Sequence, residues 1–245
     1  MTIDDDLLQL LENLKLRTLL EVLPAELERA QHEQPACSEL LRRLFRQELH
    51  AQQTRFLEHR IRRARMPERW SLDTYPWDKQ PTVSRATMMQ LAELDFIDQH
   101  ANLVFIGPPG VGKTGLACGL LHLALVAGRR CLFMKAQDLF DDMYRSLADH
   151  SSRKLLNKLS RVDLLVIDEM GYLNLRPDQS AIFIKLMEER YGKRATIITT
   201  NLDYDEWYAF LGQKEMVAAL LDRLRHRCYT IRITGESLRT PIIDA

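Results

Sequence analysis

Apolar positions in the first quarter of the chain recur every three or four residues. Between residues 4 and 23, Leu7, Leu10, Leu11 and Leu14 fall at helical spacing, and Leu19, Leu20 and Leu23 follow. Pro24, whose fixed φ suits a first helical turn, predicts a second short helix opening there. Pro35 breaks the pattern, and Ser38 is placed to cap the next helix. That helix is long: Leu41, Leu44, Phe45, Leu49, Phe56, Leu57 and Ile61 are spaced by threes and fours until Pro67 ends it. Residues 1–68 therefore read as a small all-helical domain.

The stretch "ERWSLDTYPWDKQPTV" (68–83) has no period and reads as a connecting arm. Beyond it the pattern changes to short apolar runs separated by helical segments. The runs are "LVFI" (103–106), "CLFM" (131–134), "LLVI" (164–167), "TIIT" (196–199) and "YTIRI" (229–233). Helices are predicted from Lys113 to Ala127, in the region up to Arg161, from about Gln179 to Tyr191, and around 214–226. Buried strands alternating with helices predict an α/β fold, a parallel sheet covered on both faces, over 69–245.

Composition adds limits. The chain has 245 residues, 46% hydrophobic and 28% charged, which is ordinary globular usage. No apolar run approaches the ~18 residues of a membrane span. The acidic start, Met1-Thr2-Ile3-Asp4-Asp5-Asp6, is unlike a secretory signal, so a cytoplasmic protein is expected. Cys37, Cys118, Cys131 and Cys228 are far apart with no C-x-x-C pair, which predicts reduced thiols rather than disulfides or a zinc site. The formal net charge is zero, but it is segregated. Residues 1–38 carry three positive and eight negative side chains, residues 39–69 nine and four, and residues 214–239 six and three. Local basic density can hold phosphates even in a neutral chain.

The sharpest chemical signal is Gly107-Pro108-Pro109-Gly110-Val111-Gly112-Lys113-Thr114, a full G-x-x-x-x-G-K-[ST] motif between an apolar strand and a helix. The glycines let backbone N–H groups curl around phosphate oxygens, Lys113 reaches the β- and γ-phosphates, and the Thr114 hydroxyl ligates Mg²⁺. ATP and Mg²⁺ are the expected cofactors. Asp168 and Glu169 follow "LLVI", and a buried strand should carry such acids only at its carboxyl end, where open α/β sheets bind ligands. Asp168 is then a Mg²⁺ ligand and Glu169 the base that polarises water. Thr199-Thr200-Asn201 ends the next strand, where Asn201 can orient that water. The helix "ALLDRLRHR" (219–227) offers arginines on a face that is solvated by default, and triphosphatases need one such charge near the γ-phosphate.

Phosphate loop, D-E strand end, T-N strand end and late arginine helix, in that order, resemble the AAA+ ATPases. More narrowly, "EHRIRRARMP", "FIGPPGVGKTGLA", "DLLVIDEMGYL", "TTNLDYDEW", "ALLDRLRHR" and "ITGESLR" resemble the IstB family of insertion-sequence ATP-binding proteins, relatives of the DnaC-type helicase loaders. The resemblance spans nearly the whole chain. It implies an ATP-hydrolysing regulator of transposition that assembles as a homo-oligomer through its ATP interfaces, holds double-stranded DNA and recruits a cognate transposase. By position it makes Lys113 and Thr114 nucleotide ligands, Asp168 and Glu169 the Walker B acids, Asn201 the sensor and Arg223 the finger reaching a neighbour's nucleotide. Two positions depart from the family: Gly115, where relatives often carry a larger polar residue, and Leu238, where an aromatic is common. The chain is also expected to lack the helical lid of many AAA+ proteins. Rival readings are a helicase loader acting on single strands, a small-molecule kinase, and a scaffold that binds ATP without turnover.

The basic residues fit this picture. Arg60, Arg62, Arg63 and Arg65 crowd into "HRIRRARMP", and Arg153, Lys154 and Lys158 precede the Asp168 strand, with Arg161 after them. Both groups are expected to contact DNA phosphates. The alternatives are docking onto the acidic first 38 residues and plain solvated surface.

Overall fold

The computed structural model describes residues 3–171, 175–212 and 214–239. The chain forms two compact units, Met1–Arg60 and Ile61–Ala245.

In the first unit, α1 (Asp5–Asn13) is capped by Asp4, whose side chain accepts from the Asp6 N–H at 3.3 Å. It stops where Lys15 turns left-handed (φ 58°) and the Leu16 N–H returns to the Leu11 carbonyl at 2.9 Å. The apolar spacing over 4–23 therefore belongs to two helices rather than one. Pro24 does not open the second: α2 (Arg17–Glu33) runs through it. An interior proline costs roughly 3 kcal/mol. Leu19 and Leu23 of the same helix are buried, at roughly 1.5–3 kcal/mol each, which offsets that cost. Ser38 lies inside the first turn of α3 (Cys37–Arg63), not ahead of it. The core joins Leu11, Leu19, Leu23 and Leu44. Leu16 at the N-cap of α2 has no side chain to cap with, and buried Glu48 of α3 takes that role by accepting from the Leu19 N–H at 2.8 Å. Gln52 and Arg55 bond the other oxygen of Glu48, at 3.1 and 2.8 Å.

In the second unit five parallel strands lie in the order β2-β3-β4-β1-β5: β1 Asn102–Ile106, β2 Cys131–Lys135, β3 Leu164–Met170, β4 Ala195–Thr200 and β5 Cys228–Arg232. The helices are α4 (Arg85–Ala92), α5 (Asp95–Asp98), α6 (Lys113–Val126), α7 (Ala136–Ala148), α8 (Ser152–Ser160), α9 (Pro177–Arg190), α10 (Trp207–Leu211) and α11 (Lys214–His226). The sequence pattern locates all five strands but gives no sign of α4, α5 and α10, which are too short to show a period. β3 is longer than the "LLVI" run: Asp168 lies within it, 2% exposed, and not past its end. Hydrogen bonds from Thr114 and Thr199 offset the burial that apolar neighbours impose on that carboxylate. A core of strand side chains with Phe140, Phe183 and Trp207 packs one layer of helices onto the sheet. Arg190, fully buried at the end of α9, ties neighbouring segments together by donating to the carbonyls of Leu159, Val162 and Ala195 and to the Thr196 hydroxyl.

Residues 61–83 are not a free arm. The Phe133 N–H of edge strand β2 donates to the Ala64 carbonyl at 2.7 Å, so the exposed side of that strand is partly covered. The segment continues across the first turns of α6. Tyr75 donates to the Val111 carbonyl at 3.1 Å, and Gln80 donates to the Glu236 carbonyl at 2.6 Å.

Candidate active site

The phosphate loop leaves β1 at Ile106 and enters α6 at Lys113. Its turn needs left-handed backbone at Gly110 (φ 83°) and Gly112 (φ 90°), which a side chain would resist. The loop and the start of α6 form the floor of a cleft of ≈ 820 Å³ at the carboxyl ends of β1, β3 and β4. Pro109, Gly110, Gly112, Lys113 and Thr114 line it, facing Asp168, Glu169, Thr199 and Thr200. Lys113 is nearly buried, and its ammonium donates to the Gly107 and Pro108 carbonyls at 2.7 Å each. Burial, helped by the Arg239 charge, holds its pKa below the usual lysine value, with Asp168 pulling the other way.

The acids converge on the same cleft. Thr114 Oγ1 donates to Asp168 Oδ1 at 2.9 Å, and Thr199 Oγ1 donates to the same oxygen at 2.5 Å. Burial pushes the Asp168 carboxyl above the usual range against those hydrogen bonds. The Glu169 N–H donates to Thr199 Oγ1 at 2.9 Å, and its carboxylate meets Lys135 Nζ at 3.0 Å. That hydrogen bond raises the Lys135 pKa. Glu169 is left-handed, φ 59°, and β3 shifts register against β4 between Ile167 and Met170. Among the described residues no group of three or more His, Cys, Asp or Glu could hold a metal. Adjacent Thr114 and Asp168 oxygens do suit Mg²⁺, which takes one or two protein ligands and completes its shell with phosphate and water.

Of the loop, Gly107, Pro108 and Val111 do not line the cleft, and two of the catalytic candidates, Asn201 and Arg223, lie outside its wall. Asn201 does not line it; its Oδ1, close to Gly171, is buried without a hydrogen-bond partner among the described residues. Arg223 projects from α11 to a salt bridge with Glu188 of α9. The DNA candidates are mostly solvated. Arg153, Lys154 and Lys158 are exposed on α8 while Leu156 and Leu159 of the same helix are buried. Arg62, Arg63 and Arg65 are exposed around buried Ile61 and Ala64, and Arg60 is half-buried with no partner for its Nε among the described residues.

The cleft also contains residues that the sequence pattern does not mark as functional. Lys135 is the charge that ends "CLFM". Arg239 comes from "GESLR", whose Leu238 N–H donates to the Gly110 carbonyl at 2.8 Å. Trp70 lines the cleft against Gly115, where an added Cβ would come within 3.1 Å of the indole. The small residue at 115 is the trace that this aromatic leaves in the sequence. Thr199 shows there only as part of a polar strand end.

Comparison with known proteins agrees with this geometry. The sequence model of the family described as IstB-like ATP binding protein matches residues 9–241. The insertion sequence IS21 putative ATP-binding protein of Pseudomonas aeruginosa is 34% identical over 230 residues, 94% of this chain and 87% of that one. The IS5376 putative ATP-binding protein of Geobacillus stearothermophilus is 34% identical over 202 residues, 82% and 80% of the two chains. Among solved structures, a DnaC helicase loader is similar with a TM-score of 0.58 and 26% identity, covering 69% of this chain and 98% of that one. DnaI, at 24% identity, shares the fold with a TM-score of 0.57 over 68% and 92%. A phosphate loop facing two strand-end acids on an AAA+ sheet, matched along almost the whole sequence, places this chain in the IstB-like ATP-binding protein family.

Proposed function

We propose that this protein hydrolyses ATP and, as an ATP-linked homo-oligomer, holds duplex DNA for a transposase. The observation that carries the hydrolytic reading is the pair Asp168 and Glu169 turned into one cleft opposite Lys113 and Thr114. The loop N–H groups and Lys113 bind the phosphates. Thr114 and Asp168 hold Mg²⁺, which when bound neutralises charge on the phosphates. Glu169 accepts the proton of the attacking water, a role worth about 10²–10⁴ in rate. Arg223, salt-bridged to Glu188 and outside its own cleft, acts on the nucleotide of a neighbouring copy. The exposed arginines of 62–65 and the basic face of α8 contact DNA phosphates, and the first unit acts as a helical domain ahead of the motor.

The insertion-sequence relatives support transposition over helicase loading. Likeness to a helicase loader keeps the second reading specific: it requires preference for single strands. The test is Glu169→Gln, with ATP affinity, turnover, and duplex and single-strand binding measured with ATP and with ADP. Retained ATP affinity, lost turnover and ATP-dependent duplex binding are expected. Wild-type turnover in the variant, or a preference for single strands, overturns the corresponding half of the reading.

A further inference from the structure

We infer that Thr199 is a positioning residue for hydrolysis: its hydroxyl locks a bulge in β3 that turns Asp168 and Glu169 into the same cleft. The inference rests on Glu169 being the water-activating base.

Neighbouring residues of a regular strand project to opposite faces of the sheet. With Asp168 in the cleft, Glu169 belongs on the other side, yet both line the cleft. The register explains this. Ile167 pairs with Ile198 and Met170 with Thr200, so Asp168 and Glu169 together oppose Thr199 alone. Two residues against one is a β-bulge, a device that re-aims a side chain and leaves one residue outside the ladder. Here that residue is Glu169, in a left-handed conformation that a Cβ disfavours.

A bulge strands a backbone N–H, and a stranded N–H in a sheet needs an acceptor. Thr199 Oγ1 provides it, accepting from Glu169 N at 2.9 Å. The proton of the same hydroxyl goes to Asp168 Oδ1 at 2.5 Å. A hydroxyl has one proton to give and lone pairs to accept with, so Thr199 clamps both bulge residues at once. Its side chain is fully buried at the cleft wall. The two acids are not equally dependent on it. Asp168 keeps a second donor in Thr114, whereas no other partner of the Glu169 N–H is found among the described residues. Removal of the hydroxyl therefore falls mainly on Glu169.

Thr199→Val keeps the shape and removes the hydroxyl, and Thr199→Ser keeps the hydroxyl. Turnover, ATP affinity, the Mg²⁺ midpoint and exchange of the Glu169 amide proton are measured for both, and for Thr199→Val combined with Glu169→Gln. In the Val variant kcat is expected to fall by about tenfold or more, part of the roughly 10²–10⁴ that a positioned base contributes, with ATP affinity and Mg²⁺ midpoint little changed and faster Glu169 amide exchange. The Ser variant should stay near wild type. On the Glu169→Gln background the Val change should cost almost nothing further, because residues acting as one unit are non-additive. Unchanged turnover in Val, equal impairment of Ser and Val, or the same drop in both backgrounds overturns the inference. If Val does not fold, a Ser variant impaired about tenfold overturns it. Wild-type turnover in Glu169→Gln alone instead overturns the base reading, and amide exchange at Glu169 then decides whether Thr199 holds the bulge.

Discussion

Lys135→Ala should speed ATP turnover, and the structure limits by how much. Lys135 Nζ lies 3.0 Å from Glu169 Oε2, and the two side chains are 53% and 48% exposed. At that separation in bulk water two unit charges attract by roughly 1.4 kcal/mol. Ordering two solvated side chains removes part of this, and exposed pairs measure about 0.2–1 kcal/mol. The pairing keeps Lys135 charged, since the hydrogen bond to Glu169 raises its pKa, so the restraint operates throughout the neutral range. On the proposed mechanism Glu169 leaves Lys135 to take a proton from water, and the barrier then includes breaking the pair. Removing Lys135 gains at most about 1 kcal/mol, or roughly fivefold in kcat. The assay is steady-state phosphate release at saturating ATP and Mg²⁺, with ATP affinity measured separately and expected to be unchanged. Raised salt should reproduce part of the gain in the wild-type protein by screening the pair. A fall of about tenfold in kcat, equivalent to roughly 1.4 kcal/mol of transition-state stabilisation, would refute the restraint and put Lys135 on the transferred phosphate.

Three other outcomes are expected. Arg223→Ala subunits mixed with Glu169→Gln subunits should regain ATP turnover, because some mixed interfaces pair an intact Glu169 with an intact Arg223; no recovery with subunit exchange confirmed would remove the trans role. Arg62→Ala with Arg63→Ala should weaken binding to all duplexes alike and flatten the slope of log K against log[salt] by about 0.9 for each phosphate no longer neutralised; an unchanged slope would return these arginines to solvated surface. Glu48 is expected to make the first unit acid-sensitive. Burial pushes its pKa up, but hydrogen bonds from the Leu19 N–H, Gln52 and Arg55 outweigh this and hold it below the ordinary value. Its stabilising effect is therefore present above the unfolded pKa of about 4.3 and disappears as pH falls through the folded value. Glu48→Gln should lower the melting temperature at pH 7 and remove that acid step, and an acid step of wild-type size in the variant would count against it.

What can be read from the sequence follows the range of the physics. The phosphate loop is contiguous, so eight residues carry its geometry, and all five strands announce themselves as apolar runs because a parallel sheet is buried on both faces. Pro24 shows the opposite case. Its local rule says that a helix starts there, but burial of Leu19 and Leu23 against Leu44 of another helix outweighs it, and that contact is not local. The cleft divides in the same way. Asp168 and Glu169 are adjacent, so their chemistry is legible; their shared direction is not. In a two-residue period the pair points both ways, and only a bulge makes it point one way. The group that accepts the N–H left over by that bulge is a threonine on the next strand, 30 residues along the chain. Threonine at the end of a β-strand is ordinary, and nothing in "TIITTN" distinguishes a hydroxyl that fills a surface from one that clamps two acids of the cleft. That difference exists only where the two strands meet. For the same reason Asn201 is the more conspicuous polar residue of the cluster in the sequence, while Thr199 makes the hydrogen bonds to both acids.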